Sequence, residues 1–336
     1  MKLIFFSFRA SYRKMLFNNF IQNNIYGKYI VINLCGPFKH YIAKLFLFLN
    51  IGKGISCDGN PLILKISKGI NFWSRNYLHI PINEKKLNNN FFAIKNNHIA
   101  QNNIFQIYPV KIFRSKLNKI PKIVIISRMN LETTSEEKNL WDINKDCLLK
   151  NFHLLDDVDY WNKNILNTKD ENKKYTIYIK LKLLLRYEIV KLLKNKFGEQ
   201  MDIIGNDWNN YSIKSIESPD IGSKDYSLQN IYSIYRGNVC LDLGSLVGST
   251  TLYHRSIQII EAGGLIIQST QSDSKVIWKN LHDKLVFNNI DEGILMIEKI
   301  LYDEVYSSIL FNEIYNRFNK SENLIEQSLD KIFSNN

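Results

Sequence analysis

Arg255, Gln258 and Glu261 recur at three-residue steps behind a polar loop, Asp242-Leu243-Gly244-Ser245 followed by Gly248-Ser249-Thr250-Thr251. The loop leaves the apolar run Val239-Cys240-Leu241 and feeds a helix-compatible stretch that stops at Gly263-Gly264. Leu265-Ile266-Ile267 then reads as a second strand. Open α/β sheets bind ligands outside the carboxyl ends of their strands, in loops placed like this one. Backbone N–H groups freed at such a helix start suit a phosphate, and Arg255 places a cation beside them. His254, beside Arg255, either moves a proton there or caps the helix start. The Gln258 amide can accept and donate hydrogen bonds to hydroxyls. Glu261, one turn on, either approaches the ligand or faces solvent.

Other turns carry candidates. Arg128 ends the apolar run Ile123-Val124-Ile125-Ile126-Ser127 and, on its own, reads as a surface or interdomain salt bridge. Gly205-Asn206-Asp207-Trp208 follows the strand-like Met201-Asp202-Ile203-Ile204 and either lines a base pocket or forms an ordinary β–α turn. Trp208 either stacks on a base or packs, and Asp242 either contacts hydroxyls or fixes its own turn. A general base from the first third is sought among His40, Asp58 and His79, each a lone residue without a motif. Asp156 to Trp161, DDVDYW, gathers carboxylates, yet no second cluster joins them, and no bound metal is expected. The four cysteines, Cys35, Cys57, Cys147 and Cys240, contain no C-x-x-C and imply neither a zinc site nor a disulfide framework. Cys35 and Cys240 lie in apolar runs and read as core, and a reducing cytoplasm is the compartment that fits.

The elements that must position these residues need more than one core. At 336 residues the chain suits two domains. With 45% hydrophobic and 23% charged residues it is globular. The formal charge of +12 favours anionic partners, nucleotides or an anionic membrane surface. Its lysines are scattered without the basic–aromatic interleaving of an RNA-binding module, so no nucleic-acid partner is expected. The N-terminal apolar run breaks at Arg9, and the run 42–51 is short and contains Lys44. Neither a signal peptide nor a membrane span is expected, which places the chain in the cytoplasm, with peripheral attachment at the inner membrane face as an extension.

Strands are predicted at residues 2–8, 28–34 and 62–66, and a helix at 38–49 behind Pro37. Residues 83–103 read as loops. A boundary near 117–121 gives domains 1–120 and 121–336. In the second, residues 122–128 open with a buried-strand signal, and 130–168 is polar and resists assignment. A long helix over 175–197, stopped by Gly198, leads to the strand 201–204. Helix 227–235, strand 238–241, helix 252–262 and strand 265–268 follow. A short strand at 285–287 and helices at 291–302, 305–318 and 322–333 finish the chain. Such β-α alternation predicts a parallel sheet with helices on both faces.

The spacing Arg255-Ser256-Ile257-Gln258-Ile259-Ile260-Glu261-Ala262-Gly263 resembles the R-x-x-E-x-x-x-x-G helix of GT-B glycosyltransferases. That helix belongs to their C-terminal nucleotide-sugar-binding domain, and the likeness is closest to the group-1-like bacterial enzymes. Gln258 stands where the family has Glu, and Thr250 where many retaining members carry another. Residues 123–128, 186–208 and 283–292 resemble, in order, the family's opening strand with its Arg, its helix–strand–glycine turn, and its late strand with an acidic turn. The resemblance implies two Rossmann-like α/β domains facing a cleft, with C-terminal helices closing the second. It implies transfer of a sugar from a nucleotide-sugar donor to a glycan or lipid-linked acceptor in surface polysaccharide synthesis, with no bound cofactor. Donor contacts are then expected from Gly205, Asn206, Gly248, Ser249, Thr250, Gln258, Glu261 and Gly263, and catalysis from Arg255, Arg128 and His254. Two alternatives stay open. Residues 239–248 also resemble the D-x-G-x-x-x-G loop of S-adenosylmethionine-dependent methyltransferases, and the missing glutamates fit a non-catalytic GT-B-like binding protein. Against the methyltransferase stand the late place of the loop in its domain and the lack of an acid directly after Gln268.

Overall fold

The computed structural model describes residues 112–168, 170–216, 228–244 and 251–319, with Pro109, Leu246, four strands of the first third and a few single residues besides. Those strands are β1 (Lys2–Ser7), β2 (Tyr29–Asn33), β3 (Lys53–Ser56) and β4 (Phe72–Ser74). They form a parallel sheet in the order β2-β1-β3-β4. β1 and β2 match the two expected strands closely. β3 and β4 were not expected, because KGIS and FWS are too short and too mixed to make an apolar run. Tyr41, Ile42, Leu45 and Phe46 are helical, as the 38–49 reading requires. The strand expected at 62–66, the loops at 83–103, and His40, Asp58 and His79 lie outside the described residues.

The second sheet is built from β5 (Ile123–Ile126), β6 (Met201–Ile204), β7 (Val239–Asp242), β8 (Leu265–Ser269) and β9 (Val286–Phe287). All pairings are parallel, in the order β6-β5-β7-β8-β9. Every residue of β5, β7 and β8 is buried, as expected of parallel strands covered on both faces. The cover comes from α1 (Ser135–Lys150), α2 (Glu171–Phe197), α3 (Leu228–Tyr235), α4 (His254–Ala262), α5 (Ser274–Trp278), α6 (His282–Leu285), α7 (Ile290–Tyr302) and α8 (Glu304–Phe318). α1 and α7 touch α2, whereas α3 touches α4. Right-handed crossovers put these two groups on opposite faces, because β5 to β6 and β6 to β7 run in opposite directions across the sheet.

α1 fills the stretch that resisted assignment. Thr134 and Glu137 close a capping box at its start, the Thr134 side chain accepting from the Glu137 N–H and Glu137 Oε2 from the Thr134 N–H. Trp141 and Leu148 anchor it, and Phe152, Leu155, Trp161 and Ile165 continue the buried stripe through short turns. Residues 112–118, on the first-domain side of the expected boundary, run along α3 and α4. The Phe113 N–H donates to the Glu261 carbonyl at 3.0 Å and the Asn118 N–H to the Gly237 carbonyl at 2.8 Å. Among the described residues no helix is long and apolar enough to cross a membrane.

Candidate functional site

The chain leaves β5 toward one side of the sheet and β7 toward the other. The crevice between their carboxyl ends is the switch point at which such sheets bind ligands. Ser127 and Arg128 line it from β5, and Asp242, Leu243 and Gly244 from β7.

Asp242 is fully buried and holds the crevice together. Its Oδ1 accepts from the Tyr253 hydroxyl at 2.6 Å and from the Gly244 N–H at 3.1 Å, and its Oδ2 accepts from Gln268 Nε2 at 2.9 Å. Gln268 also donates to the Thr251 carbonyl at 2.8 Å and accepts from Trp278 Nε1 at 3.0 Å. The indole can only donate, so the Gln268 oxygen must face it and the amide nitrogen must face Asp242. At the far end of the loop, Thr251 donates its N–H and hydroxyl to Asp273 Oδ1 at 2.7 and 2.6 Å. The turn-fixing role is thus the one Asp242 plays. Gly244 has φ of +71°, and a Cβ there would lie 2.4 Å from Gln271 Nε2.

Two guanidinium groups lie within the field of this carboxylate. Arg186, from α2, is buried and donates to the Gly244 carbonyl at 2.7 Å, with Ser127 Oγ at 3.5 Å. Arg255, half-buried in the first turn of α4, lies 3.4 Å from the Tyr253 hydroxyl. Burial pulls Arg186 down to about 10, the like charge of Arg255 adds to this, and Tyr253 and Asp242 work against it. Burial also opposes the Arg255 charge, but Tyr253, Tyr235 and Asp242 outweigh it and hold the group above its ordinary value. The Asp242 carboxylate attracts both cations, and their like charges oppose each other. A low-dielectric site lined this way stabilises an anion far better than a surface cation does.

Lys182, one turn before Arg186, is 8% exposed, and its Nζ donates to the Tyr178 hydroxyl at 3.0 Å. Burial brings its ammonium down to about 8 from 10.5, with Asp156 opposing and Arg186 assisting. The unfolded chain therefore holds this proton up to 10.5 while the folded chain releases it near 8. Where the unfolded state binds more protons, stability rises with pH. Lys182 contributes least below 8, and the fold should gain roughly 1–3 kcal/mol as pH climbs to 10.5. Urea unfolding at stepped pH checks this: Lys182→Met should lack the rise, and an identical rise in both proteins would assign it elsewhere.

The structure gathers some sequence candidates and separates others. Arg128 is exposed directly after β5, and Gly205-Asn206 follow the neighbouring β6, so these line the same carboxyl edge as Arg255. Gly205 also has a packing duty: its φ is +142°, and a Cβ there would sit 2.0 Å from the Ser127 carbonyl oxygen. Gly205→Ala should cost about 3 kcal/mol or more, read as a fall in the urea midpoint. A loss under about 1 kcal/mol would mean that the β5–β6 approach relaxes easily. The Asn206 carbonyl accepts from the Met129 N–H at 3.3 Å. Trp208 is fully buried and donates to the Ser127 carbonyl at 2.7 Å, so it packs. Gln258 is 7% exposed in mid-α4. Glu261 is 2% exposed and accepts from the Tyr232 hydroxyl of α3, and Gly263 caps the far end of α4. A helix of this length spans ~13 Å, which sets Glu261 and Gly263 toward the amino edge of the sheet, apart from Arg255. His254 opens α4, but its side chain lies outside the described residues, as do Gly248, Ser249 and Thr250. Asp156 accepts from the Tyr178 hydroxyl at 2.7 Å, and Asp157 caps the Tyr160 N–H at 2.9 Å, so both serve local structure.

Sequence reasoning missed Lys182, Arg186, Tyr253 and Gln271. The first two are basic residues four apart on one face of a leucine-rich stretch, a pattern that ordinarily marks a solvated face. No protein-family model matches the chain, and no curated protein matches it.

Proposed function

We propose that the protein is a glycosyltransferase that binds a nucleotide-sugar at the β5/β7 switch point and transfers the sugar to a glycan or lipid-linked acceptor. The observation that carries this reading is the pair of neighbouring cations Arg186 and Arg255 at the carboxyl edge of a parallel sheet. A diphosphate leaving group needs fixed cations where its charge develops. Arg255 supplies one beside the start of α4, and Arg128, exposed after β5, supplies another from the opposite wall. The two sheets also wind alike, β2-β1-β3-β4 and β6-β5-β7-β8-β9, each with its second strand outside its first. That likeness supports two Rossmann-like units, the second holding the donor and the first, across a cleft, the acceptor.

Two observations weigh against the methyltransferase alternative. In a D-x-G-x-x-x-G reading the loop carboxylate would serve the cofactor, but both oxygens of Asp242 are bonded inside the fold. Gln268, at the position that should introduce a ribose-binding acid, is part of that internal network. Thermal shift with UDP-, GDP- and ADP-sugars beside S-adenosylmethionine separates the readings. Stabilisation by one nucleotide-sugar is expected, and stabilisation by S-adenosylmethionine alone would overturn the proposal. Binding with neither donor hydrolysis nor transfer would favour the non-catalytic relative.

A further inference from the structure

An apolar face stands open to solvent in the first third of the chain. Tyr41, Ile42 and Leu45 are helical. The chain leaves the helix through two backbone bonds, from the Leu49 N–H to the Leu45 carbonyl at 3.0 Å and from the Ile51 N–H to the Phe46 carbonyl at 2.8 Å. Tyr41, Leu45 and Leu49 are four residues apart, which sets them in one row along a helix, with Ile42 flanking the row. Tyr41 is 69% exposed, Leu45 58% and Leu49 56%, and Ile42 and Ile51 are exposed as well. Across residues 41–51 only Lys44 and Asn50 carry a charged or amide side chain. A surface helix ordinarily turns polar residues to water, whereas this one turns aliphatic and aromatic ones. Charge is divided just as unevenly. Residues 1–120 hold 18 Lys and Arg against two Asp and Glu, and residues 121–336 hold 26 against 30. The whole positive excess of the chain therefore belongs to the part that carries the open apolar face.

We propose that this face docks on an anionic lipid bilayer, with Tyr41, Ile42, Leu45, Leu49 and Ile51 entering the headgroup–acyl boundary and the basic surplus of residues 1–120 drawing the protein to it. A soluble polyanion would answer the charge and leave the apolar side chains in water. An uncharged groove on another protein would cover the side chains and leave the charge unanswered. An anionic lipid surface meets both, because apolar burial and electrostatic attraction add in interfacial binding. The apolar stretch is too short to span a bilayer, so the helix lies in the interface. This attachment goes beyond the proposed sugar transfer and does not depend on which donor the crevice binds. It would hold the protein at the surface in which a lipid-linked acceptor is embedded.

The test is sedimentation of the full chain with two kinds of vesicle, one of phosphatidylcholine alone and one of equal parts phosphatidylcholine and phosphatidylglycerol. Partitioning onto the mixed vesicles should be about tenfold or more stronger than onto the neutral ones, and it should fall as salt rises. Leu45→Gln combined with Leu49→Gln should weaken it about tenfold or more, since both side chains are already exposed and their loss from the apolar face leaves the charge intact. Equal binding to the two vesicles, binding to neither, or wild-type binding by the double variant would each overturn the proposal. A wild-type dimer that the double variant converts to a monomer, read by light scattering without lipid, would assign the face to a second copy and overturn it as well. Amide hydrogen exchange of the wild-type chain needs no variant to fold. The mixed vesicles should slow exchange in peptides spanning residues 41–51, and protection confined to other segments would contradict the docking surface.

Discussion

Replacing Arg255 with alanine should weaken nucleoside-diphosphate binding roughly 30- to 100-fold while changing the folding free energy by less than about 1 kcal/mol. The two effects separate because Arg255 holds little of the fold. Its contact with the Tyr253 hydroxyl is long, at 3.4 Å, and its charge acts against Arg186. Removing it relieves that repulsion and returns Asp242 to Arg186 alone. The bound diphosphate, in contrast, would lose a charge-assisted donor in a partly dry site, where such bonds are strongest. Calorimetric titration and urea unfolding of the same variant read the two quantities. Unchanged affinity would remove Arg255 from the site, and a stability loss of several kcal/mol would recast it as a structural residue.

Asp242→Ala should do the opposite, costing about 3–5 kcal/mol of stability. The carboxylate accepts from Tyr253, Gly244 and Gln268, and it is the negative charge shared by Arg186 and Arg255. Its removal strands the Gly244 N–H and one Gln268 N–H, leaves the Tyr253 hydroxyl only the Gly244 carbonyl at 3.2 Å, and takes a neighbouring negative charge from the buried Arg186. Asp242→Asn should fail to rescue. Trp278 holds the Gln268 oxygen, so the Gln268 nitrogen faces Asp242, and an asparagine amide nitrogen there would meet donor with donor. Urea midpoints for both variants check this. Full stability in Asp242→Asn would show that the Gln268 amide is free to turn.

The second sheet was legible because parallel strands advertise themselves. Ile123-Val124-Ile125-Ile126 and Leu265-Ile266-Ile267 are compact apolar runs closed by polar residues. α1 escaped because its exposed face is rich in Asn, Lys, Asp and Glu and its apolar stripe is sparse. The Thr134-x-x-Glu137 signature before it was a readable start signal. α5 and α6 are short and mixed in composition, with too few turns to build a periodic pattern. Of the site, Arg255 and the loop after β7 were legible from their place between strand and helix. Arg186 and Lys182 were not, because basic residues on a helix ordinarily mark its wet face, whereas here they are 6% and 8% exposed. Glu261 shows the reverse case: its place beside Gln258 drew attention, yet its carboxylate serves the Tyr232 contact between α3 and α4.

The most direct test of the central claim is a crystal structure of the full chain with a nucleoside diphosphate. The diphosphate should lie in the crevice between the carboxyl ends of β5 and β7, within hydrogen-bond distance of the Arg255 guanidinium and of backbone N–H groups in the loop before α4. A diphosphate seated elsewhere, with Arg255 still turned toward Tyr253 and Asp242, would contradict it.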